Sequence, residues 1–250
     1  MPDTGVRSLG TAVRGVLEEF EGGLLGHERL PPEHHLDRLY WQPDCPTVYC
    51  DRCGRSHPDA FRRCRACIDQ RLPHHGVVRL AAYQEPMASW IRDFKFRRWE
   101  SMGRLLGGRL GEACRRHLVD HQRAVECVVP VPSPWLRGRL RGQDHCLIIA
   151  QEVSRVLERP VRSPLRQLGG LPQAHRSRSA RLRRPNPFRS SYFGRSIRGR
   201  DVLLVDDVLT TGSTIRAASR VLLDLGVGRI LVGVLGVSNP PRSPLRASQG

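Results

Sequence analysis

Two adjacent carboxylates, Asp206 and Asp207, followed closely by Thr210, Thr211, Gly212, Ser213 and Thr214, are the most specific chemistry in these 250 residues. Paired acids accept hydrogen bonds from vicinal hydroxyls or sit close to a bound Mg²⁺. The small residues supply hydroxyls and a glycine that lets backbone approach a ligand. The free N–H groups of the helix they open make an anion site. Diol-binding acids beside a phosphate cradle fit a phosphorylated ribose. A second constellation is Cys50-x-x-Cys53, ten residues, then Cys64-x-x-Cys67. Each pair is a knuckle that turns two thiolates onto one cation, and two pairs close a tetrahedral shell with no open position, which makes a structural zinc site. So short a segment cannot bury its own core, so zinc would provide most of its folding free energy. A thioredoxin-like redox pair would need a flanking βαβ pattern that is missing, and Cys45 or His57 could replace one ligand. A third group is Arg137, Arg139 and Arg141, set among glycines in a cationic loop.

Elements that could position these groups can be read around them. Val202-Leu203-Leu204-Val205 is apolar on both faces and precedes a helical stretch reaching about Leu225, so it reads as a central strand of a parallel sheet with the acids at its carboxyl end. Val125 to Val131 is another strand. The basic loop Ser133 to Gly142 follows it, and then a helix Asp144 to Leu157 that buries Cys146, Ile149, Val153 and Val156. Ligands of open α/β sheets bind at such strand ends. His74 to Ala82 reads as a strand or hairpin piece, and Arg229 to Val237 as the last strand. Between them come two helices. The first starts at Met87, with Trp90, Ile91, Phe94 and Phe96 inside and Arg92, Lys95, Arg97 and Arg98 outside; the second buries Leu105, Leu106, Leu110 and Cys114. Leu9 to Leu24 has helical spacing and forms an amphipathic helix that packs on the body or on a partner. His27 to Asp44 has no periodicity and reads as a linker. Leu171 to Phe188 carries five arginines and no hydrophobic period. A lid over a polyanion, a nucleic-acid contact and a solvated loop all fit it.

Net charge is +17, and Lys95 is the only lysine among 41 basic residues. The excess invites a polyanion such as nucleic acid. With four Trp, four Tyr and six Phe, a long stacking platform is not available, and a DNA contact would be directed at phosphates. No apolar run approaches the roughly 20 residues of a membrane helix, and the amino terminus lacks a signal pattern, which together predict a cytoplasmic protein without membrane insertion. Cysteines in that compartment serve metals or remain thiols, and Cys114, Cys127 and Cys146 read as small core residues.

The stretch Val202 to Thr214 resembles, position by position, the phosphoribosyl diphosphate (PRPP) signature of type I phosphoribosyltransferases. There the acids hold the ribose hydroxyls and the loop holds the phosphate monoester. The paired CxxC, the Lys95-Phe96 helix, Val-Pro-Val-Pro followed by Arg-Gly and a helix, and the PRPP motif together resemble the ComF family from Cys50 to Val237. The resemblance implies an α/β fold of the type I phosphoribosyltransferase kind, a mostly parallel twisted sheet with helices on both faces, preceded by a zinc ribbon. It divides the chain into 1–44 (helix and linker), 45–72 (zinc ribbon), 73–240 (phosphoribosyltransferase-like domain) and 241–250 (flexible tail). It implies PRPP or a mononucleotide as ligand, with Mg²⁺ on the diphosphate and Arg137, Arg139 and Arg141 around that leaving group. Leu171 to Phe188 becomes a hood loop with Gln173, Arg183 and Asn186 at family positions. It also links the chain to DNA uptake in competence. An alternative of another class is a non-catalytic nucleotide-binding factor that binds single-stranded DNA through ribbon and arginines, beside a competence helicase. Gln143, Asp144 and His145 depart from the family's aromatic, Asn and Gln. Val208 and Leu209 stand where a nucleobase transferase has an acidic or basic residue, and no general base is evident.

Overall fold

Four apolar runs, β1 (Gly76–Ala82), β6 (Ile230–Val237), β5 (Val202–Leu209) and β2 (Cys127–Pro130), lie side by side in that order as one wholly parallel sheet. The computed structural model describes residues 31–57, 64, 67–97, 99–132, 144–168 and 186–238. The expectations for Leu9–Leu24, the loop of Arg137, Arg139 and Arg141, the segment with Gln173 and Arg183, and the carboxyl-terminal tail lie outside these residues. Central strands β5 and β6 are almost continuously apolar because both of their faces are covered. On one face, helix α5 (Ser213–Asp224) sets Ile215, Ala218 and Leu222 against Val202, Leu204, Val232 and Val234. Helices α3 (Glu100–Asp120) and α4 (His145–Leu157) cover the other, where Leu110 and Cys114 approach Gly233. Helix α2 (Met87–Phe96) joins β1 to α3. A separate antiparallel pair, β3 (Leu165–Gln167) with β4 (Phe188–Ser190), lies beside α5.

Of the two readings of His74–Ala82, the strand is the one present: β1 is an edge strand parallel to β6, in the register Val77↔Val232. Two other local readings change. The stretch read as a linker contains a helix, α1 (Pro32–Arg38). Proline at its first position lacks only an N–H that no helix would use, and Leu36 supplies a buried residue. Strand β5 runs past Val205 to Leu209 because β6 is long enough to pair with it as far as Val237. The acids therefore lie within the strand's last turn of pleat, not beyond it.

The chain divides into compact units at Gln42–Pro43. Within the second, the cysteine knuckle sits on the sheet's edge. Val77 N donates to Asp51 O at 2.6 Å, and Asp44 N to Leu80 O at 2.6 Å. Gly54 has φ +72°, and a Cβ there would meet Val77 Cγ1 at 2.8 Å and Val237 Cγ2 at 3.0 Å, so only glycine lets the knuckle come this close. Arg79, 2 % exposed, fastens the contact from inside β1. Its Nη1 donates to Gly54 O (2.7 Å) and its Nη2 to Ser56 Oγ (3.0 Å), and Nη2 lies 2.7 Å from Asp44 Oδ2. The guanidinium also lies 4.8 Å from the centre of the Tyr49 ring.

Candidate phosphoribosyl site and cysteine cluster

At the carboxyl end of β5 the alternation of a strand sends neighbouring side chains to opposite sides. Asp206 is buried and Asp207 half-buried. Asp206 Oδ1 accepts from Asp207 N at 2.9 Å and from the Cys146 thiol at 3.4 Å. Burial first, and the charge on Asp207 second, push the Asp206 carboxyl up to about 7. Burial and the charge of Asp206 raise Cys146 as well, so it remains a thiol donor. Cys146 Sγ and one oxygen from each acid all lie within 4.8 Å of one another. Asp207 Oδ2 is 2.8 Å from Lys95 Nζ, which reaches the acids from the last turn of α2.

The loop that follows is open to solvent: Thr210, Thr211, Ser213 and Thr214 are exposed. Gly212, at φ +73°, caps α5 without a side chain, so the first-turn amides of the helix point outward. Thr211 Oγ1 accepts from Ser213 N (3.4 Å) and donates to Ser213 Oγ (3.1 Å). Arg216, one turn into α5, folds back to donate to Thr211 O at 2.9 Å. Hydroxyls, amides and a guanidinium thus converge beside two carboxylates. Such a surface can hold an uncharged diol and an anionic group at once.

The arrangement brings together Asp206, Asp207 and Thr210–Thr214, as their contiguity required, and adds groups that were read otherwise. Against the expectation that sets Lys95 outside and Phe96 inside, Phe96 is exposed and Lys95 is the inward residue. Its status as the only lysine was the available signal. Cys146 was read as a core residue, and nothing in its spacing marks the hydrogen bond to Asp206. Asn186 turns out to fasten the chain: its Nδ2 donates to Ala217 O (2.8 Å) on α5, and its Oδ1 accepts from Phe188 N (2.9 Å).

The four knuckle cysteines gather at a second place. Cys50 Sγ lies 3.7 Å from Cys67 Sγ, and Cys53 Sγ lies 3.9 Å from Cys64 Sγ. Sulfurs about 2.3 Å from a central zinc stand about 3.8 Å apart in a tetrahedron, so the set has the size of one tetrahedral thiolate site. Hydrogen bonding from the Cys53 thiol pulls Cys50 down to about 5, while the Cys53 thiol that donates is itself pushed up. Cys45 stands outside the cluster.

Residues 144–243 match the phosphoribosyl transferase domain. Competence protein F of Haemophilus influenzae is 32 % identical over 188 residues, 74 % of this chain and 82 % of its own. The chain belongs to the ComF family. The DNA utilization protein YhgH of Escherichia coli K12, similar to it, is 28 % identical over 187 residues, with 74 % and 82 % of the two chains covered. Among solved structures, a purine phosphoribosyltransferase from Pyrococcus horikoshii aligns at 14 % identity with a TM-score of 0.34, covering 65 % of this chain and 88 % of that one. The ComF fold here is that of a type I phosphoribosyltransferase carrying a four-cysteine knuckle, and no described helix is long and apolar enough to cross a membrane.

Proposed function

We propose that this ComF protein binds PRPP at the tip of β5 and transfers its phosphoribosyl group to an acceptor. One observation carries the reading: an acid pair at the end of a central parallel strand, directly followed by an exposed Thr/Gly/Ser loop at the start of α5. Asp206 and Asp207 would take the ribose hydroxyls. Thr210 to Thr214, with the first amides of α5 and Arg216, would take the 5-phosphate. Mg²⁺ would arrive on the diphosphate and offset its charge. Arg137, Arg139 and Arg141 would stabilise the leaving diphosphate, so that catalysis is mainly electrostatic as the C1–O bond breaks. Cys50, Cys53, Cys64 and Cys67 would hold a structural Zn²⁺, and the protein would act in the cytoplasm. Measuring PRPP-dependent diphosphate release against nucleobases and single-stranded DNA tests the reaction. Thermal shift with Mg²⁺ and PRPP tests the site: a hundredfold excess of ligand over its dissociation constant adds about 2.7 kcal/mol. The double change Asp206→Asn with Asp207→Asn is expected to abolish that shift, and an unchanged shift would refute the ribose assignment.

A second reading has its own support. Beyond the acids, β5 continues as Val208 and buried Leu209, which offer no proton-transfer group toward an acceptor. A charge of +17 and relatives named for competence and DNA utilization support a non-catalytic, nucleotide-binding factor in DNA uptake, contacting single-stranded DNA by its arginines and working beside a helicase. Salt-sensitive DNA binding with no diphosphate release would select it over the transferase.

A further inference from the structure

Arginine occupies every basic position of the chain except 95. The helix end that carries it is held in place from two directions. Its neighbour Phe94 is fully buried and occupies the notch left by Gly103, where a Cβ would collide with the ring. The Phe94 ring also meets His145, the first residue of α4, edge-on at 4.8 Å. Lys95 is thus presented to Asp207 by a fixed helix end, with the side chains 23 % and 16 % exposed. Arginine and lysine differ in what they do to a carboxylate. A guanidinium clamps it with a rigid fork, whereas an ammonium is a compact charge with three donors on a flexible stem and can pivot between acceptors.

We infer that Lys95 is a diphosphate-binding residue, parked on Asp207 until the ribose hydroxyls take that carboxylate and then transferred to the diphosphate on ribose C1. The inference rests on the PRPP reading above. Its chemistry follows from the sugar. A diol bound by Asp207 competes for the oxygen that the ammonium holds. The C1 substituent is vicinal to the 2-hydroxyl, while the 5-phosphate lies across the ring, over the Thr210–Thr214 loop. The anionic oxygens nearest the displaced ammonium are therefore those on C1. The ammonium trades one ion pair for another, and the ribose hydroxyls replace it as donors to Asp207, so neither group is left without a hydrogen-bond partner.

Calorimetric titration of PRPP and of ribose 5-phosphate, both with Mg²⁺, into the full-length protein and into Lys95→Met and Lys95→Arg tests this. Lys95→Met should weaken PRPP by roughly tenfold to a hundredfold, the worth of a hydrogen bond to a charged group, while ribose 5-phosphate binds as well or better. Lys95→Arg should not recover PRPP, because the fork stays on Asp207. Equal loss of both ligands would reduce Lys95 to a support of the acids and overturn the assignment, as would undiminished PRPP binding or full recovery with arginine. Unmodified protein that binds neither ligand would overturn the phosphoribosyl reading itself. Zinc content and thermal midpoint report folding, and Lys95→Gln replaces the methionine variant if that one does not fold.

Discussion

Asp206 is pulled two ways, since the strand end proposed to offer its carboxylate to a ligand also buries it next to a second one. An unfolded aspartate loses its proton near 3.9, while the folded Asp206 keeps it up to about 7. Between those values the folded protein binds more protons than the unfolded chain, so the contribution of this group to stability is full below about pH 4 and is lost as pH rises to about 7. Asp206→Asn should remove that loss. The variant should melt several degrees above the unmodified protein at pH 8 and converge with it toward pH 4, at about 2–4 °C per kcal/mol for a chain of this size. Calorimetric melts from pH 4 to 8 check it, and parallel pH profiles would exclude Asp206 as the cause. Gly212→Ala places a side chain at φ +73° and 3.0 Å from Arg216 Nη1. It should cost about 1–2 kcal/mol in denaturant titrations and weaken PRPP as Arg216 is pushed off the loop. The acids and loop could be read from the sequence because the strand-to-helix turn makes them contiguous. Cys146, 60 residues from Asp206, could not, because only the packing of α4 on β5 brings them together.

Between elements, the junction of β1 with the cysteine knuckle turns on a single cation. Arg79 satisfies Asp44, the Gly54 carbonyl and Ser56 from a strand position that the apolar pattern around it marked as core. Arg79→Met keeps the volume and removes the charge, taking the guanidinium away from Asp44 and the Gly54 carbonyl. It should cost about 3 kcal/mol in denaturant titrations while zinc content holds, and a variant as stable as the parent would show that the knuckle does not depend on this fastening. Here the sequence was only half legible. CxxC spacing announced the cluster, and the run from Val77 to Ala82 announced a strand, but neither reveals that one covers the edge of the other. Parallel pairing of β1 with β6 is a contact between residues far apart in sequence, which local periodicity cannot carry. The helix Pro32–Arg38 was hidden for the opposite reason, being too short to develop a period.

The whole molecule carries +17 charges, far more than the described site uses. If that excess serves DNA, log affinity should fall with log salt by about 0.7 per phosphate contact on single strands. Replacing Arg178, Arg181 and Arg183 together should flatten the slope. A slope unchanged by the triple variant, with PRPP weakened, would assign those arginines to the ligand instead. The proposed zinc should be present at about one equivalent in protein purified without added metal, and full zinc in Cys64→Ser would remove the claim. Because the knuckle lies within the same compact unit as the sheet, chelation should lower the main melting transition instead of producing a separate early one. The covered edge of β1 has one more effect. At β2, Val128 bonds with Pro160 and Arg162, so that strand's free side is occupied by the protein's own chain. At β1 the same protection depends on a knuckle proposed to fold around zinc. A molecule stripped of zinc would present the Val77 amide and Leu80 carbonyl of an apolar strand to its neighbours, a template for pairing between molecules. Metal starvation should therefore show itself first as turbidity at high protein concentration, before any loss of helix is measurable, making the ion a guard of solubility as much as a brace of the fold.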